Sequence, residues 1–327
     1  ARGRPTESRK KDSGLIEALL PQVAVYTAGD PMNSQKWLNC RLQDLRERLA
    51  ALGHRVSIPV ISRLLKAHHY CLRVNRKALD SAAHPERNRQ FEYIRAERAW
   101  HTQAKQPCLS IDSKKKELVG NFKNAGRVWC QHALTVNSHD FPQDALGHAV
   151  PYGIYDLRHN CATVYVGQSA DTPTFAVDNL AHWCRTELPQ RFPSATHLLL
   201  EADGGGSNAS RSRVFKQQLQ ATIADAFGLT VTVCHYPPGT SKWNPIEHRV
   251  FSEISKTWQG CPLRSFDLIL DYLRDTRTRT GLTVQAHLVT QLYQTGVKVS
   301  DAVLHALTIQ FHEVCPQWNY TLYPRAA

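Results

Sequence analysis

The sequence predicts an α/β protein whose main part is a mixed β-sheet flanked by helices, preceded by a smaller helical domain. From residue 107 onward, apolar runs of strand length and helix-like segments follow in the order three strands, helix, strand, helix, strand, helix. One run, residues 198–202, ends abruptly in Asp203 and three glycines, as expected for a buried strand that stops at a sheet edge. The first 100 residues show leucines at helical spacing instead.

Length and composition are those of an ordinary globular protein. The 327 residues, 42% of them hydrophobic, suffice for a sizeable core and for two domains. No run has the apolar length of a membrane span and no charged-then-apolar leader opens the chain, so we expect no membrane association and a cytoplasmic location. The nine cysteines are scattered and never form a Cys-x-x-Cys pair, which favours a reducing compartment over a disulfide scaffold or zinc ribbon.

The positive charge is concentrated near the amino terminus. Of a net charge of +12, residues 1–100 carry 19 Lys and Arg against 10 Asp and Glu, and the remaining 227 residues carry 21 against 18. This distribution is expected if the first part of the chain grips a polyanion such as nucleic acid. A basic surface that is simply solvated is the alternative.

The sequence divides into a DNA-binding part and a larger second part. Within the first part, a short helix is expected at residues 15–20, a loop at 21–33, and a longer helix from residue 36 to Gly53. The predicted divisions are a basic lead-in and linker at 1–35, a helix-turn-helix domain at 36–80, a linker and connecting helix at 81–106, and the α/β domain at 107–327.

A second helix of the helix-turn-helix motif is predicted to begin at Ser57. Ser57 is a suitable N-cap, and Pro59 stands in the first turn, where its missing N–H costs nothing. Val56 and Ile61 have the spacing of a hydrophobic staple. Residues 70–77 then alternate like a basic β-wing, so that the domain is expected to be a winged or a plain helix-turn-helix.

The second helix presents a polar face that suits DNA. Basic and hydroxyl side chains on such a face reach phosphates and base edges in a groove. The alternative is a helical packing unit with a solvated basic face, but the charge asymmetry favours DNA binding. The residues predicted to contact DNA here are Arg55, Ser62, Arg63, Lys66, Arg73, Arg76 and Lys77.

Two acids occur at strands of the second part. Along the first strand, Leu109 and Ile111 share one face, and Ser110 and Asp112 share the other. Asp203 stands at the carboxyl end of a later strand, which is where open α/β sheets usually place their chemistry.

A third acid, Glu247, begins a helix. Asn244 is a natural N-cap and Pro245 suits the first helical position, so Glu247 has the place of the reciprocal member of a capping box. However, Glu247 also lies on the same stripe as Val250 and Phe251, which predicts that it points toward the sheet. The sequence alone does not decide whether Glu247 closes a capping box or points toward the sheet.

Asp112, Asp203 and Glu247 together suit a metal site. Carboxylates are ligands for hard cations such as Mg²⁺, and two such ions about 3.5–4 Å apart can activate a nucleophile and stabilise a leaving oxygen on phosphorus. A P-loop is excluded because no Gly-Lys-Ser/Thr follows the glycines, and no His-Glu-x-x-His motif occurs. Near the acids, Lys114, Lys242 and Arg249 are candidates for contact with substrate phosphate, and solvated charge is the alternative for each.

Several motifs resemble those of one transposase family. The segments that carry the resemblance are 111–124 (IDSKKKELVGNFKN), 151–156 (PYGIYD), 202–208 (ADGGGSN) and 237–249 (PPGTSKWNPIEHR), with shorter matches at 84–87 and 318–320. In these motifs and in their order, nearly the whole chain is similar to the ISAzo13-type insertion-sequence transposases. Members of that family extend further upstream, so an additional DNA-binding segment is expected before residue 1.

The resemblance implies a DDE transposase with a ribonuclease-H-like core behind helix-turn-helix elements. By position, Asp112, Asp203 and Glu247 become the first, second and third catalytic and metal-binding acids. Two Mg²⁺ ions are implied as cofactors, with Mn²⁺ as a substitute. Residues expected to support the site are Gly204, Gly205, Asn208 and Asn244.

The implied reaction is cleavage of phosphodiester bonds at insertion-sequence ends and transfer of the 3′-OH ends to target DNA. The implied partners are double-stranded DNA, as transposon ends and as target, and a second copy of the chain in a homodimer on DNA. The implied location is the bacterial nucleoid. The alternative is a catalytically silent DNA-binding regulator derived from a transposase, and the intact acids favour the enzyme.

Overall fold

The computed structural model describes residues 14–29, 36–72 and 84–325, which belong to two compact units. The units are Ala1–Leu79 and Asp80–Ala327. In the described part of the chain, no helix is long and apolar enough to cross a membrane.

The first unit holds three short helices around a small apolar core. Leu19, Leu45, Leu49 and Ile61 are fully buried there, one or two from each helix. Two short strands pair antiparallel at its side. The elements are α1 (Leu15–Val25), β1 (Thr27–Gly29), β2 (Lys36–Leu38), α2 (Leu42–Ala51) and α3 (Ile58–Ala67).

Two predictions for the first unit are wrong. The loop predicted from Pro21 is helical as far as Val25, because α1 buries Val23 as well as Leu19 and this packing outweighs the bond that proline removes. The helix predicted from residue 36 begins only at Leu42, since residues 36–38 pair with β1.

Helices α2 and α3 follow each other across a short turn and share one core cluster, which is compatible with the predicted helix-turn-helix. Ser57 has the extended backbone of an N-cap, although its side chain makes no capping hydrogen bond, and Val56 packs in the same core cluster as Ile61. Residues 70–72 do not form a strand, and the rest of the predicted wing, with Arg73, Arg76 and Lys77, lies outside the described residues.

The second unit is built on a nine-stranded mixed sheet. Its strands are β3 (Cys108–Ser113), β4 (Glu117–Val119), β5 (Gly147–Asp156), β6 (Cys161–Gly167), β7 (His197–Asp203), β8 (Thr230–Tyr236), β9 (Thr283–Val289), β10 (Ile309–Phe311) and β11 (Asn319–Leu322). Their spatial order is β10-β11-β8-β7-β3-β5-β6-β9, and β4 pairs with β5.

Five strands at the centre of this sheet form the ribonuclease-H-like arrangement. β3, β5 and β6 are antiparallel neighbours, and β7 and β8 lie on the other side of β3 and run parallel to it. Ile111 of β3 is opposite Ala202 of β7, so the carboxyl ends of these two strands meet at one edge of the sheet. The predicted mixed sheet flanked by helices is thereby confirmed.

Helices cover both faces of the sheet. They are α4 (Arg87–Gln103), α5 (Pro173–Thr186), α6 (Leu188–Arg191), α7 (Arg213–Gln218), α8 (Ser252–Thr257), α9 (Phe266–Asp275) and α10 (Asp301–His305). Leu109 and Ile111 pack against Phe175 of α5 in one core cluster. On the opposite face, Tyr155 packs with Ile246 and Val250 in a second cluster. This alternation places Ser110 and Asp112 on the face opposite to α5, as predicted.

Candidate active site

Asp112 and Asp203 lie at the carboxyl ends of the adjacent parallel strands β3 and β7. Asp112 Oδ1 accepts a hydrogen bond of 2.8 Å from the backbone N–H of Ser113. Both acids are partly buried at this edge of the sheet. The strand pairing therefore brings together two acids that the sequence separates by 91 residues.

The third acid is fixed to the same strand by a buried clasp. Ser110 Oγ donates a hydrogen bond of 2.5 Å to Asn244 Oδ1 and accepts one of 3.0 Å from the backbone N–H of Ile246. Asn244 Nδ2 donates to the carbonyl oxygen of Ile111 at 3.3 Å. Asn244 directly precedes the first helical residue, Pro245, as predicted, but its side chain binds the strand rather than capping the helix. The clasp instead holds the turn before Glu247 against the strand of Asp112.

The helix that follows packs closely on the sheet. It begins with a π-helical stretch, Glu247–Phe251, and continues as α8; such π-helical turns are frequent at functional sites. Val250 and Phe251 are buried, as the apolar stripe predicts. Gly153, the register partner of Asp112, makes room for this helix, because a Cβ there would lie 2.6 Å from Ile246 Cδ1.

The three carboxyl groups interact electrostatically. Burial, and then the negative charge of Asp203, raise the pKa of Asp112 to about 8, and Asp112 is hydrogen-bonded to Glu247. Burial and the charge of Glu247 raise the pKa of Asp203 to about 6. Burial also raises the pKa of Glu247. The structure thus brings the three predicted acids together: the charges of Asp203 and Glu247 disfavour ionisation of Asp112, and the charge of Glu247 disfavours ionisation of Asp203.

One lysine lies beside this cluster. Lys114 makes an ion pair of 3.2 Å with Glu117, and its Nζ is 4.8 Å from the centre of the Trp258 ring. Its positive charge partly offsets the rise in the pKa of Glu247. With its side chain only 10% exposed, Lys114 offers little surface to DNA.

The carboxylate oxygens of Asp112, Asp203 and Glu247 are the kind of ligand that hard divalent cations prefer. As the side chains stand, no group of three His, Cys, Asp or Glu residues in the described ranges is arranged to hold a metal ion. Nevertheless, these are oxygen ligands whose pKa values are raised by burial and, for Asp112 and Asp203, also by the charge of a neighbouring carboxylate. A divalent cation would remove that repulsion by displacing the shared proton.

The glycine segment after Asp203 is open on the outside and anchored at its end. A Cβ at Gly205 would meet no atom within 4 Å, and one at Gly204 would only touch the carbonyl oxygen of Tyr236 at 3.6 Å. Gly206 has a φ of +64°, which favours glycine. The segment ends at Asn208, which is buried.

Asn208 is held by two residues that the sequence did not identify. Tyr152 Oη donates to Asn208 Oδ1 at 3.0 Å, and His235 Nε2 lies 2.8 Å from the carbonyl oxygen of Asn208. Both partners are fully buried. They come from β5 and β8, so only the folded sheet brings them to this segment.

Two further acids lie near the site and were missed by the sequence analysis. Ser113 Oγ donates to Asp171 Oδ1 at 3.0 Å, which places a fourth carboxylate beside β3. Glu201 is fully buried two residues before Asp203 and forms an ion pair with Arg98 of α4 at 2.5 Å. The alternation of β7 places Glu201 on the face of Asp203, and this was the available signal.

The remaining residues predicted to contact DNA are mostly on the surface. In the first unit, Arg55, Arg63 and Lys66 are exposed, and Ser62 is half-buried. In the second unit, Lys242 and Arg249 are exposed.

A basic cavity lies next to the helix of Glu247. It has a volume of about 750 Å³, and Arg249 shares its lining with His248, Arg277 and Arg279. Asn160 and Thr280 also line this cavity, and Asn160 Nδ2 donates a hydrogen bond to the carbonyl oxygen of Thr280 at 2.9 Å. The sequence analysis missed Arg277 and Arg279, which lie in the loop between α9 and β9, far from the acids in sequence.

A sheet edge with three interacting carboxylates, in a ribonuclease-H-like core, defines the class of the DDE enzymes. Residues 18–324 match the family described as the Rhodopirellula transposase DDE domain. The chain belongs to this family, and it is a metal-dependent DNA transposase. The resemblance to the ISAzo13-type transposases is thereby confirmed.

The chain is also similar to solved structures of the Mos1 transposase. A Mos1 paired-end complex with the left transposon end is 14% identical over 84% of this chain and 72% of that chain, with a TM-score of 0.43. A Mos1 mariner paired-end complex with Mn is 14% identical over the same shares, with a TM-score of 0.44. A corresponding complex with Mg is 11% identical over 84% and 73%, with a TM-score of 0.42. No curated protein matches the chain.

Proposed function

We propose that Asp112, Asp203 and Glu247 are the catalytic carboxylates of this transposase and hold two Mg²⁺ ions, with Mn²⁺ as a substitute. The observation that supports this proposal is the convergence of the three acids, with raised pKa values, at one edge of the sheet. The reaction is cleavage of phosphodiester bonds at insertion-sequence ends, followed by transfer of the 3′-OH ends to target DNA. When bound, the ions supply activation of the attacking oxygen and stabilisation of the leaving oxygen.

The residues around the acids hold them in place for this reaction. The Ser110–Asn244 clasp positions Glu247 relative to Asp112. Tyr152 and His235 hold the end of the glycine segment, which leaves its outer side open to the DNA backbone. Such positioning contributes strongly to phosphoryl transfer, in which the protein does little covalent chemistry itself.

In this proposal, residues of both units contact DNA. In the first unit, Arg55, Ser62, Arg63 and Lys66 contact transposon ends, in keeping with a DNA-binding domain at 36–80 before a catalytic domain at 107–327. In the second unit, Lys242 and the cavity of Arg249 contact the DNA backbone. Pairing of two ends makes a homodimer on DNA, within the bacterial nucleoid, part of the proposal.

The test is metal-dependent nicking of DNA that carries insertion-sequence ends. We expect Asp203→Asn to abolish nicking, because it removes one of three metal-binding carboxylates while keeping the shape of the side chain. Asp271→Asn is the matched control, since Asp271 is exposed on α9 and pairs only weakly with Arg274 at 3.5 Å. Equal nicking by the wild type and Asp203→Asn refutes catalysis by this site and favours the silent regulator.

A further inference from the structure

An exposed tryptophan stands beside the proposed active site. Trp243 is 50% exposed, and it lies at the end of a 3₁₀ turn, Ser241–Trp243, four residues before Glu247. Its ring meets the ring of Phe91 edge to face, with centroids 6.3 Å apart. Phe91 in turn contacts Tyr236, at 5.9 Å, and Tyr236 is the register partner of Asp203. A row of aromatic rings therefore leads from the surface to the residue that lies beside Asp203 on the neighbouring strand.

Trp243 forms one wall of a cavity with the first half of α4. The cavity has a volume of about 380 Å³, which is within the range of sites that hold one small ligand. Its lining combines aromatic rings with charged and amide groups. The lining residues are Arg87, Asn88, Phe91, Glu92, Arg95 and Trp243.

The two arginines of the cavity have no anionic partner among the described residues. Neither the guanidinium of Arg87 nor that of Arg95 makes an ion pair or a side-chain hydrogen bond there, and Arg87 Nε is buried without a hydrogen-bond partner. The Arg87 guanidinium lies 5.7 Å from the centre of the Phe91 ring. A guanidinium group without an ion pair or side-chain hydrogen bond can bind a phosphate through two parallel N–H donors.

The other side chains suit a nucleobase. An exposed indole offers a flat surface on which any base can stack, and such stacking is the usual way in which proteins hold single-stranded nucleic acid. Asn88 and Glu92 supply an amide and a carboxylate, the groups that read the polar edges of bases. A base inside a duplex is stacked on both sides, so a base that lies on Trp243 is either unpaired or at the very end of a duplex.

We propose that this cavity binds one unpaired nucleotide of the DNA at the cleavage site. The base stacks on Trp243, and the phosphate lies between Arg87 and Arg95. This inference rests on the proposed function, because it takes the adjacent acids to be the site of DNA cleavage. It adds that the DNA is locally unpaired next to the reacting bond.

The test measures binding without cleavage. The full chain carrying Asp203→Asn is titrated with a blunt duplex and with the same duplex ending in one unpaired 2-aminopurine nucleotide, whose fluorescence reports stacking. We expect tighter binding of the second DNA, with quenched fluorescence. Adding Trp243→Ala should remove the preference and the quenching, with a loss of about 5- to 150-fold in affinity for the unpaired end. Trp243→Phe should keep most of both.

Two controls isolate the stacking contact. Trp100→Ala removes a tryptophan that is also 50% exposed, at the other end of α4, and should leave the preference intact. In the second control, the unpaired nucleotide lacks its base. Protein that retains Trp243 should bind this abasic end as weakly as Trp243→Ala binds the 2-aminopurine end. Trp243→Ala should bind the abasic end no more weakly than that. Thermal unfolding of each variant establishes that it is folded. If Trp243→Ala does not fold, the stacking preference is measured with Trp243→Phe instead.

Three results overturn the proposal. They are equal losses in Trp243→Ala and Trp100→Ala, an equal loss for blunt and unpaired ends, and additive effects of Trp243→Ala and the abasic end. None of these measurements depends on cleavage. Failure of the proposed catalytic function, which is seen in nicking by Asp203→Asn, is thus distinguished from failure of this inference.

Discussion

Ser110 Oγ donates a 2.5 Å hydrogen bond to Asn244 Oδ1, across 134 residues of sequence. Both residues are fully buried, and together they join the strand of Asp112 to the turn before Glu247. The relative position of two proposed catalytic acids therefore depends on one hydroxyl and one amide that need not touch metal or DNA. Several expected outcomes follow from this and from the other contacts of the site.

Ser110→Ala should slow DNA cleavage by about 10- to 100-fold with little change in DNA affinity, because it loosens the position of Glu247. It should also lower the free energy of unfolding by about 1–3 kcal/mol, since Asn244 Oδ1 loses a buried donor. Single-turnover cleavage and chemical denaturation measure the two effects. Ser255→Ala is the control, because Ser255 Oγ bonds only within its helix, to the carbonyl oxygen of Phe251. A cleavage rate like that of the control contradicts the positioning role.

Divalent cations should stabilise the folded protein. At about 100 times the dissociation constant, Mg²⁺ or Mn²⁺ should raise the thermal midpoint by about 5 °C, because the ions bind the native carboxylates. Asp203→Asn should abolish most of this shift, and Asp271→Asn should not. Binding should also release protons, which calorimetry in two buffers detects, since Asp112 has a pKa of about 8 without metal. A shift of equal size in both variants excludes this site as the origin.

Stability should fall in mild acid because of His235. Burial lowers the pKa of His235 from 6.5 to about 4, so the unfolded chain binds a proton more readily than the folded one. The stabilisation is complete above pH 6.5 and is lost as the pH falls toward 4, and it amounts to about 3 kcal/mol at most. Denaturant unfolding between these pH values measures the slope. His235→Gln should flatten it, and an unchanged slope assigns the effect to other groups.

Arg277→Ala combined with Arg279→Ala should weaken DNA binding without altering the acids. If both arginines contact phosphates, the slope of log affinity against log salt should fall by about 2, because each contact releases about 0.9 counterion. Arg325→Ala is the charge control, since Arg325 pairs with Asp225 at 2.6 Å on the surface. An identical salt slope in the wild type and the double variant rules out DNA contact at this cavity.

Removing the first unit should sharply reduce DNA affinity and its salt dependence, since the positive charge is concentrated there. The cut belongs before α4, because α4 carries Arg98, the partner of buried Glu201. A chain of residues 80–327 should keep its fold by circular dichroism. Unchanged DNA binding by this core contradicts the DNA-binding assignment of the first unit.

Sequence patterns predicted the parts of the site that depend on local rules. Alternation along β3 predicted that Ser110 and Asp112 share a face, and the abrupt end of β7 predicted the place of Asp203. Asn244 shows the limit of such rules. The local pattern Asn-Pro-x-Glu predicted a helix cap, but the amide binds a strand 134 residues away in the chain.

Contacts between distant segments explain the remaining differences. Arg277, Arg279 and Trp243 have no local pattern that marks them, and they become candidates only when the loops that carry them lie beside the helix of Glu247 or against α4. Pro21 predicts the end of a helix, because proline has no backbone N–H for the helical hydrogen bond. Burial of Val23 in the small first core overrides that rule.

Gly153 has a consequence for reading genomes. A Cβ at this position would lie 2.6 Å from Ile246 Cδ1 and 2.8 Å from Phe251 Cε1, so these two buried side chains, on either side of Glu247, would have to move. We therefore expect a single substitution of Gly153 to reduce cleavage while the three acids stay intact. Counting copies with intact acids will therefore overestimate how many remain able to move, and Gly153 should be scored alongside them.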